Sequence, residues 1–411
     1  MQKQTTMKAN RTILFLFMAA MIPAACQKTE NDAQERDLPD FTLEEVAKIM
    51  TELPIGISHV DEVFSAVNAS SFNGYDEEYM FTDLLTCPGA GVGDSKNLER
   101  VERVRQASMD RPGAALKDLF ASYFTAHPKT KAGGAEESLR QLMESNIQIY
   151  WPYSEDWDGE TFPIVTFDPG DGQESNIGYE LCRREDGETE IRSMIVTEDV
   201  ARERPVWVVN RNDDSEYNPI RIFEGQKYFV CGDGKCMELD ADGQSALKGA
   251  AMDGKRKVLK VKAFNMLRNY DSWFAGASEF WIKCGSINGF RAATEEDLAK
   301  YTPSVTDCMV VVKRSQVNRN IPLGIVLLTD FTEQMEKIAF LITEDDGGTV
   351  TEWKCEAMVK IKSRSWGVNI NIPYRSKDDI VWRGQLSRDY LAESRYTVSR
   401  LGDVIVTFEM E

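Results

Sequence analysis

The sequence predicts a multidomain α+β protein, with a helical N-terminal region, a β-rich middle and a C-terminal antiparallel β-sandwich. Three observations carry this expectation. Apolar residues recur at helical spacing between residues 41 and 145, and the period falls to two from Ile147 onward. The charge then steps near residue 250: residues 151–250 hold 23 acidic and 10 basic residues, whereas 251–411 hold 22 and 23. A chain of 411 residues is also long for one domain of about 100–150 residues. Hydrophobic residues make up 42% and charged residues 28%, which excludes wholesale disorder, collagen and a multi-span membrane protein. The net charge of −19 argues against nucleic acid as a partner.

Residues 1–25 read as an export signal. Lys3, Lys8 and Arg11 form a positive start, Ile13 to Ile22 an apolar core too short to span a bilayer, and Pro23-Ala24-Ala25-Cys26 a small-residue end. Small residues before a cysteine resemble a lipobox, which makes Cys26 the candidate lipidation site, carrying diacylglycerol and palmitate-class acyl chains. Pro23 stands where such boxes usually carry Leu. Acyl burial at about 0.8 kcal/mol per CH₂ makes a multi-chain anchor firm. Residues 26–40 are a polar tether. The acidic run from Gln27 to Asp32 resembles the export tag of outer-membrane surface lipoproteins, and a plain solvated tether is the alternative.

Residues 41–145 read as helices. Thr42 and Glu45 form a capping box with Phe41 and Val46 as its staple. Val60, Val63, Phe64 and Val67 follow Ser58, a candidate cap, and Leu116, Leu119, Phe120, Tyr123 and Phe124 make the strongest apolar stripe. Leu139, Leu142 and Met143 make a further one.

Residues 146–250 read as an acidic β-rich region, separate from 41–145 or joined with it. Its expected strands are Ile147 to Trp151, residues 162–167, a hairpin turning at Asp186-Gly187, Val206 to Val209, and a hairpin from Lys227 to Leu239. Asp240 to Asp253 reads as a linker. Residues 255–411 form the expected sandwich, with strands near 257–263, 279–284, 308–314, 323–329, 337–343, 355–361, 366–372 and 403–409. Phe331 to Met335 is a candidate helical turn.

Seven cysteines besides Cys26 cannot all pair, and most read as small buried residues. Cys231 and Cys236 flank Gly232-Asp233-Gly234-Lys235 and are the candidate disulfide. Two histidines, His59 and His127, leave little for a histidine metal site or a triad. The phosphate-loop spacing of Gly249, Gly254 and Lys255 fails at Arg256, Ser245 and Lys248 lack partner motifs, and Gly276 to Phe280 lacks the second Gly of a nucleophile elbow.

Calcium is the one candidate cofactor. Asn210, Asn212 and Asp214 open like a calcium loop, but Ser215 and Arg221 break it, and Asp240-Ala241-Asp242-Gly243 is too short a match. Asp330, Asp345 and Asp346 are candidate loop ligands, with hydrated turn carboxylates as the plainer reading.

The segment from Trp151 to Phe162 holds four aromatics and four carboxylates in twelve residues. Sugars are bound by aromatic faces together with acceptors for hydroxyls, so Trp151, Tyr153, Trp157 and Asp158 are the candidate ligand-binding residues. Paired carboxylates among Glu155, Asp156, Asp158 and Glu160 are the alternative, a glycoside-hydrolysing pair. The plainer reading buries both tryptophans and leaves the acids in water.

The run Ile149 to Asp158, with Phe167-Asp168-Pro169, Gly178-Tyr179-Glu180, the stretch Pro205 to Asp213, Asn73 to Tyr79 and Ile342 to Gly348, resembles an uncharacterised Bacteroidota lipoprotein family carrying a domain of unknown function. The resemblance implies lipidation at Cys26 and brings no activity or site with it. The expected function is a membrane-anchored, non-catalytic glycan- or protein-binding protein of the outer membrane, facing the cell surface or else the periplasm. A carboxylate- or calcium-dependent hydrolase of extracellular glycan and a structural envelope component are the alternatives.

Overall fold

The computed structural model describes residues 41–72, 74–81, 115–128, 134–170, 172–183, 189–212, 229–232, 235–238 and 257–411. It is mostly β, arranged in three six-stranded sheets.

Among the described residues, four helices precede residue 147, the second and third separated by a short strand: α1 (Leu43–Glu52), α2 (Ile57–Phe72), α3 (Leu116–Ala126) and α4 (Ala135–Glu144). Thr42 caps α1 by accepting the Glu45 N–H, and Phe41 and Val46 are buried beside it. Helix α2 begins one residue before the expected cap Ser58. His59, the third residue of the helix, turns its Nδ1 back to accept the Gly56 N–H, the part that Glu or Gln plays in a capping box.

The first sheet runs in the order β1 (Glu78–Met80), β2 (Ile147–Tyr150), β6 (Val206–Arg211), β3 (Ile164–Phe167), β4 (Ser175–Arg183) and β5 (Thr189–Thr197). Strands β3 and β6 pair in parallel and the other pairs are antiparallel. The helices cover one face. Ile147, Ile149, Trp207 and Val209 enter one core with Val46, Met50, Val60, Val63, Phe120 and Leu142. The residues between them, Tyr150, Val206 and Val208, point to the opposite face, which is also buried. Burial on both faces is why Val206 to Val209 reads as an unbroken apolar run. Helix α5 (Glu198–Glu203) lies between β5 and β6.

Two further sheets share the largest core. One has the order β11 (Ser304–Val312), β10 (Ser278–Ser286), β13 (Met335–Glu344), β14 (Val350–Ile361), β15 (Arg364–Arg375), with β16 (Asp379–Ser387) also on β13. The other has β17 (Tyr396–Leu401), β18 (Val404–Met410), β9 (Leu259–Met266), β12 (Ile321–Leu328), β7 (Phe229–Gly232), β8 (Lys235–Glu238). Side chains from both meet in one cluster, among them Val261, Phe264, Phe280, Val310, Ile325, Phe340 and Phe408. Each of the eight strands expected after residue 255 is present, whereas β16, β17 and the short β1 were not expected. Strand β17 alternates exposed and buried residues, with Val398 63% exposed, so its apolar content is too low to stand out. Phe331 to Met335 is a turn into β13 rather than a helix.

The segment Pro39–Glu411 forms one compact unit. The boundary expected near residue 250 is crossed in the structure. Strand β7 pairs in parallel with β12, so the hairpin from Lys227 joins a C-terminal sheet. A loop between β9 and β10 travels the other way. Its Trp273 and Phe274 are fully buried against Tyr150, Ile164, Val206 and Val208 of the first sheet, at about 1.5–3 kcal/mol for a ring the size of Phe.

The signal, Cys26, the tether and the linker lie outside the described residues, as do the side chains of Cys231 and Cys236. The backbone register sets Cys231 directly opposite Cys236. Cys284 and Cys308 are free and buried, and Cys355 is free and half-buried. Among the described residues no helix is long and apolar enough to cross a membrane.

Gly178 in β4 tests the packing of the first sheet. A Cβ there would meet Val196 Cγ2 at 2.2 Å and Ile164 Cγ2 at 2.9 Å, both on stiff, buried side chains. Gly178→Ala is expected to cost about 1–3 kcal/mol in urea unfolding, while Val398→Ala on the open face of β17 should cost under about 0.5 kcal/mol.

Candidate functional site

The aromatic and acidic segment connects β2 to β3. Tyr153 adopts φ 59°, a left-handed conformation that costs a non-glycine residue about 1–3 kcal/mol. A short 3₁₀ turn, Ser154–Asp156, follows. The turn is held from beneath by Glu77, whose Oε1 accepts from the Ser154 amide (3.2 Å) and hydroxyl (2.6 Å).

The structure divides the predicted residues into two groups. Trp151 is 1% exposed and packs edge-on against Trp207 (5.9 Å) and Trp157 (5.4 Å), so it is core. Asp158 is a turn former. Its carboxylate accepts from the Glu160 and Thr161 amides and from Thr161 Oγ1 at 2.6 Å. Those bonds, the threonine hydroxyl first, hold it down at about 2. Trp157 is half-buried, packs at a tilt against Phe64 at 5.0 Å and donates its Nε1 to the Thr161 carbonyl. Tyr153 donates its hydroxyl to Glu198 Oε1 at 2.7 Å, and burial followed by that carboxylate pushes the phenol up to about 12.

Trp157 and Tyr153 line a cleft of about 300 Å³ together with Trp151, Asp156, Asp158, Thr161, Arg202 and Arg204. A second hollow of about 430 Å³ adjoins it, sharing Tyr153, Asp156 and Arg202 and adding Asn269, Arg314, Ser315, Asn318 and Arg319. The Arg202 guanidinium lies 5.5 Å from the Tyr153 ring centroid and 3.0 Å from Glu198 Oε1. Arg204 pairs with Glu180. Asp156 is exposed and stands where the two hollows meet. The site thus offers two aromatic rings, guanidinium donors and carboxylate acceptors around one space, with little net charge.

Sequence reasoning missed Arg202 and Arg204 on and after α5, and the Arg314 turn 110 residues further on. The only local signal was Glu198 four residues before Arg202, a pattern shared by ordinary solvated helix faces.

Glu155, Asp156, Asp158 and Glu160 are all exposed, and the oxygens of Asp158 are occupied by its turn. Glu77 and Glu155 are pushed apart in acidity, Glu77 up to about 8 by burial against the weaker pull of Lys313, and Glu155 down. That divergence resembles an acid–base pair, but Glu77 is fully buried under the turn and lines neither hollow. Of the candidate calcium ligands, Asp330 is clamped by Arg291 at 2.6 Å and Asp345 accepts from Trp281 Nε1 and the Gly347 amide. Asp346 lies near two other carboxylates, Asp271 and Glu344. Asp214 and Asp240 to Gly243 lie outside the described residues.

Glu77 gives the fold a pH dependence of definite sign. Its folded value, about 8, lies above the unfolded value of 4.5, so its contribution is full below pH 4.5 and is lost as pH rises through 8. Glu198 has the opposite sign: burial alone would raise it, but Arg314, Tyr153 and Arg202 hold it at about 2, so its contribution is lost only in strong acid. Between pH 5 and 8 the Glu77→Gln variant should therefore lack a downward slope that wild type shows, of at most about 1.4 kcal/mol per pH unit. Urea unfolding of both proteins across that range measures it.

No protein-family model matches the chain, and no curated protein or solved structure is significantly similar to it.

Proposed function

We propose that this protein is an exported lipoprotein, anchored through Cys26 at the outer membrane and facing the cell surface, whose α+β fold with a C-terminal β-sandwich presents a glycan-binding cleft without catalysis. The single observation that supports this most is the cleft itself. Tyr153 and Trp157 offer ring surface, and Asp156, Arg202 and Arg204 ring the same space with acceptors and donors. A sugar ring presents the complementary surface, apolar C–H faces edged by hydroxyls that both donate and accept. A volume near 300 Å³ is at the lower end of the ~300–1,000 Å³ common for ligand pockets, and the adjoining hollow extends it for a chain of sugars. The surplus of acid over base across the chain favours neutral glycan over nucleic acid.

The test is a glycan array probed with the soluble form lacking residues 1–26. A hit should weaken at least tenfold, about 1.4 kcal/mol, on Asp156→Ala, an exposed position whose change leaves stability untouched, and again on Trp157→Phe. Absence of any glycan hit, or a hit indifferent to both changes, overturns the reading, and a specific protein captured through the same residues would replace the glycan. Incorporation of labelled palmitate into wild type, and its loss in Cys26→Ser, tests the anchor.

A further inference from the structure

We infer that Asp271, Glu344 and Asp346, which line neither hollow, form a binding site for a divalent metal cation of the calcium class. Glu344 is the last residue of β13, and in extended chain residues two apart share a side, so Asp346 follows it while Asp345 turns away to Trp281 and Gly347. Asp271 comes from the loop after β9. One oxygen from each of the three carboxylates lies within 4.8 Å of the others. That matches the span across a calcium coordination shell, about twice the usual 2.3–2.6 Å bond.

The second observation is the state of the buried oxygens. Glu344 is 1% exposed, yet its Oε1 has no hydrogen-bond donor, and Asp271 Oδ2 is likewise buried without one. Among the described residues no Lys or Arg makes an ion pair with either. A buried carboxylate oxygen left without a donor carries its full desolvation cost, so native structures give such atoms a donor, a proton or a metal.

The arrangement suits calcium better than magnesium. Calcium accepts six to eight oxygens in irregular geometry, which mono- or bidentate carboxylates and water at the exposed Asp346 edge can supply, whereas magnesium requires a near-ideal octahedron. The competing arrangement is a proton shared between Asp271 and Glu344.

Calorimetry and thermal unfolding of the EDTA-stripped protein titrated with CaCl₂, MgCl₂ and MnCl₂ separate the two. The expected result is one calcium bound per chain, with a melting temperature raised by several degrees at saturation. Asp346→Asn, at an exposed position that leaves the fold intact, should weaken calcium binding at least tenfold, and Glu344→Gln should abolish the thermal shift. Failure of all three ions to bind at millimolar concentration, or calcium binding by Asp346→Asn equal to that of wild type, overturns the site and leaves the shared proton.

Discussion

The buried guanidinium of Arg314 is the contact on which the arrangement of this fold depends. Its Nε donates to Glu198 at 2.9 Å, and its Nη1 donates to the carbonyls of Asp271 and Gly276. Glu198 begins α5 beside the first sheet, whereas Asp271 and Gly276 belong to the loop that leaves the C-terminal sheets. One side chain, itself 6% exposed, therefore ties the two halves together at the wall of the second hollow. Around it, Asp76 accepts the Ala277 amide, Asn210 donates to the carbonyls of Phe274 and Ala275, and Trp273 donates to the Glu174 carbonyl. A Cβ on Gly276 would stand 2.9 Å from the Asp76 carboxylate, and its φ of +150° is another demand that glycine meets. Buried ion pairs add little net stability relative to apolar packing of the same shape, but removing one partner costs about 3–5 kcal/mol. Such a contact selects one docking geometry over others more than it deepens the fold.

That geometry shapes the cleft. Glu198 carries three donors, Arg314, Arg202 and the Tyr153 hydroxyl. Tyr153 is thereby held in its left-handed conformation, with Arg202 against its ring, and the two form the shared wall of both hollows. The strain at Tyr153 is sustained by the same carboxylate that anchors the C-terminal half. Removal of the Arg314 contact would release a site wall as well as an interface.

Much of the architecture was legible because packing there follows periodicity. Val60, Val63 and Val67, then Leu116, Phe120 and Phe124, show helical spacing and are buried as it implies. The strands after residue 255 alternate or run apolar and lie where expected. Strands β16 and β17 were illegible because half-exposed edges need few apolar residues. The hairpin at Cys231 and Cys236 was legible as a hairpin, but its parallel pairing with β12 depends on contacts almost a hundred residues away. The site was legible in one segment only. Local composition singled out Tyr153 and Trp157, but could not separate them from Trp151, which the core absorbs, or from Asp158, which the turn absorbs. Arg204 and Arg314 carry no local mark and Arg202 only the common i,i+4 spacing from Glu198, and the meeting of Asp271 with Glu344 and Asp346 carries none, because proximity across sheets is invisible in a linear pattern.

A double-mutant cycle between Arg314→Met and Glu198→Ala, read by urea unfolding, measures the central contact directly. A coupling energy of about 2 kcal/mol or more is expected, since Glu198→Ala strands the buried Arg314 guanidinium and the double change removes that charge. Effects that add to within about 0.5 kcal/mol would show that the two halves are held by apolar contact alone, and would contradict the role given to this ion pair.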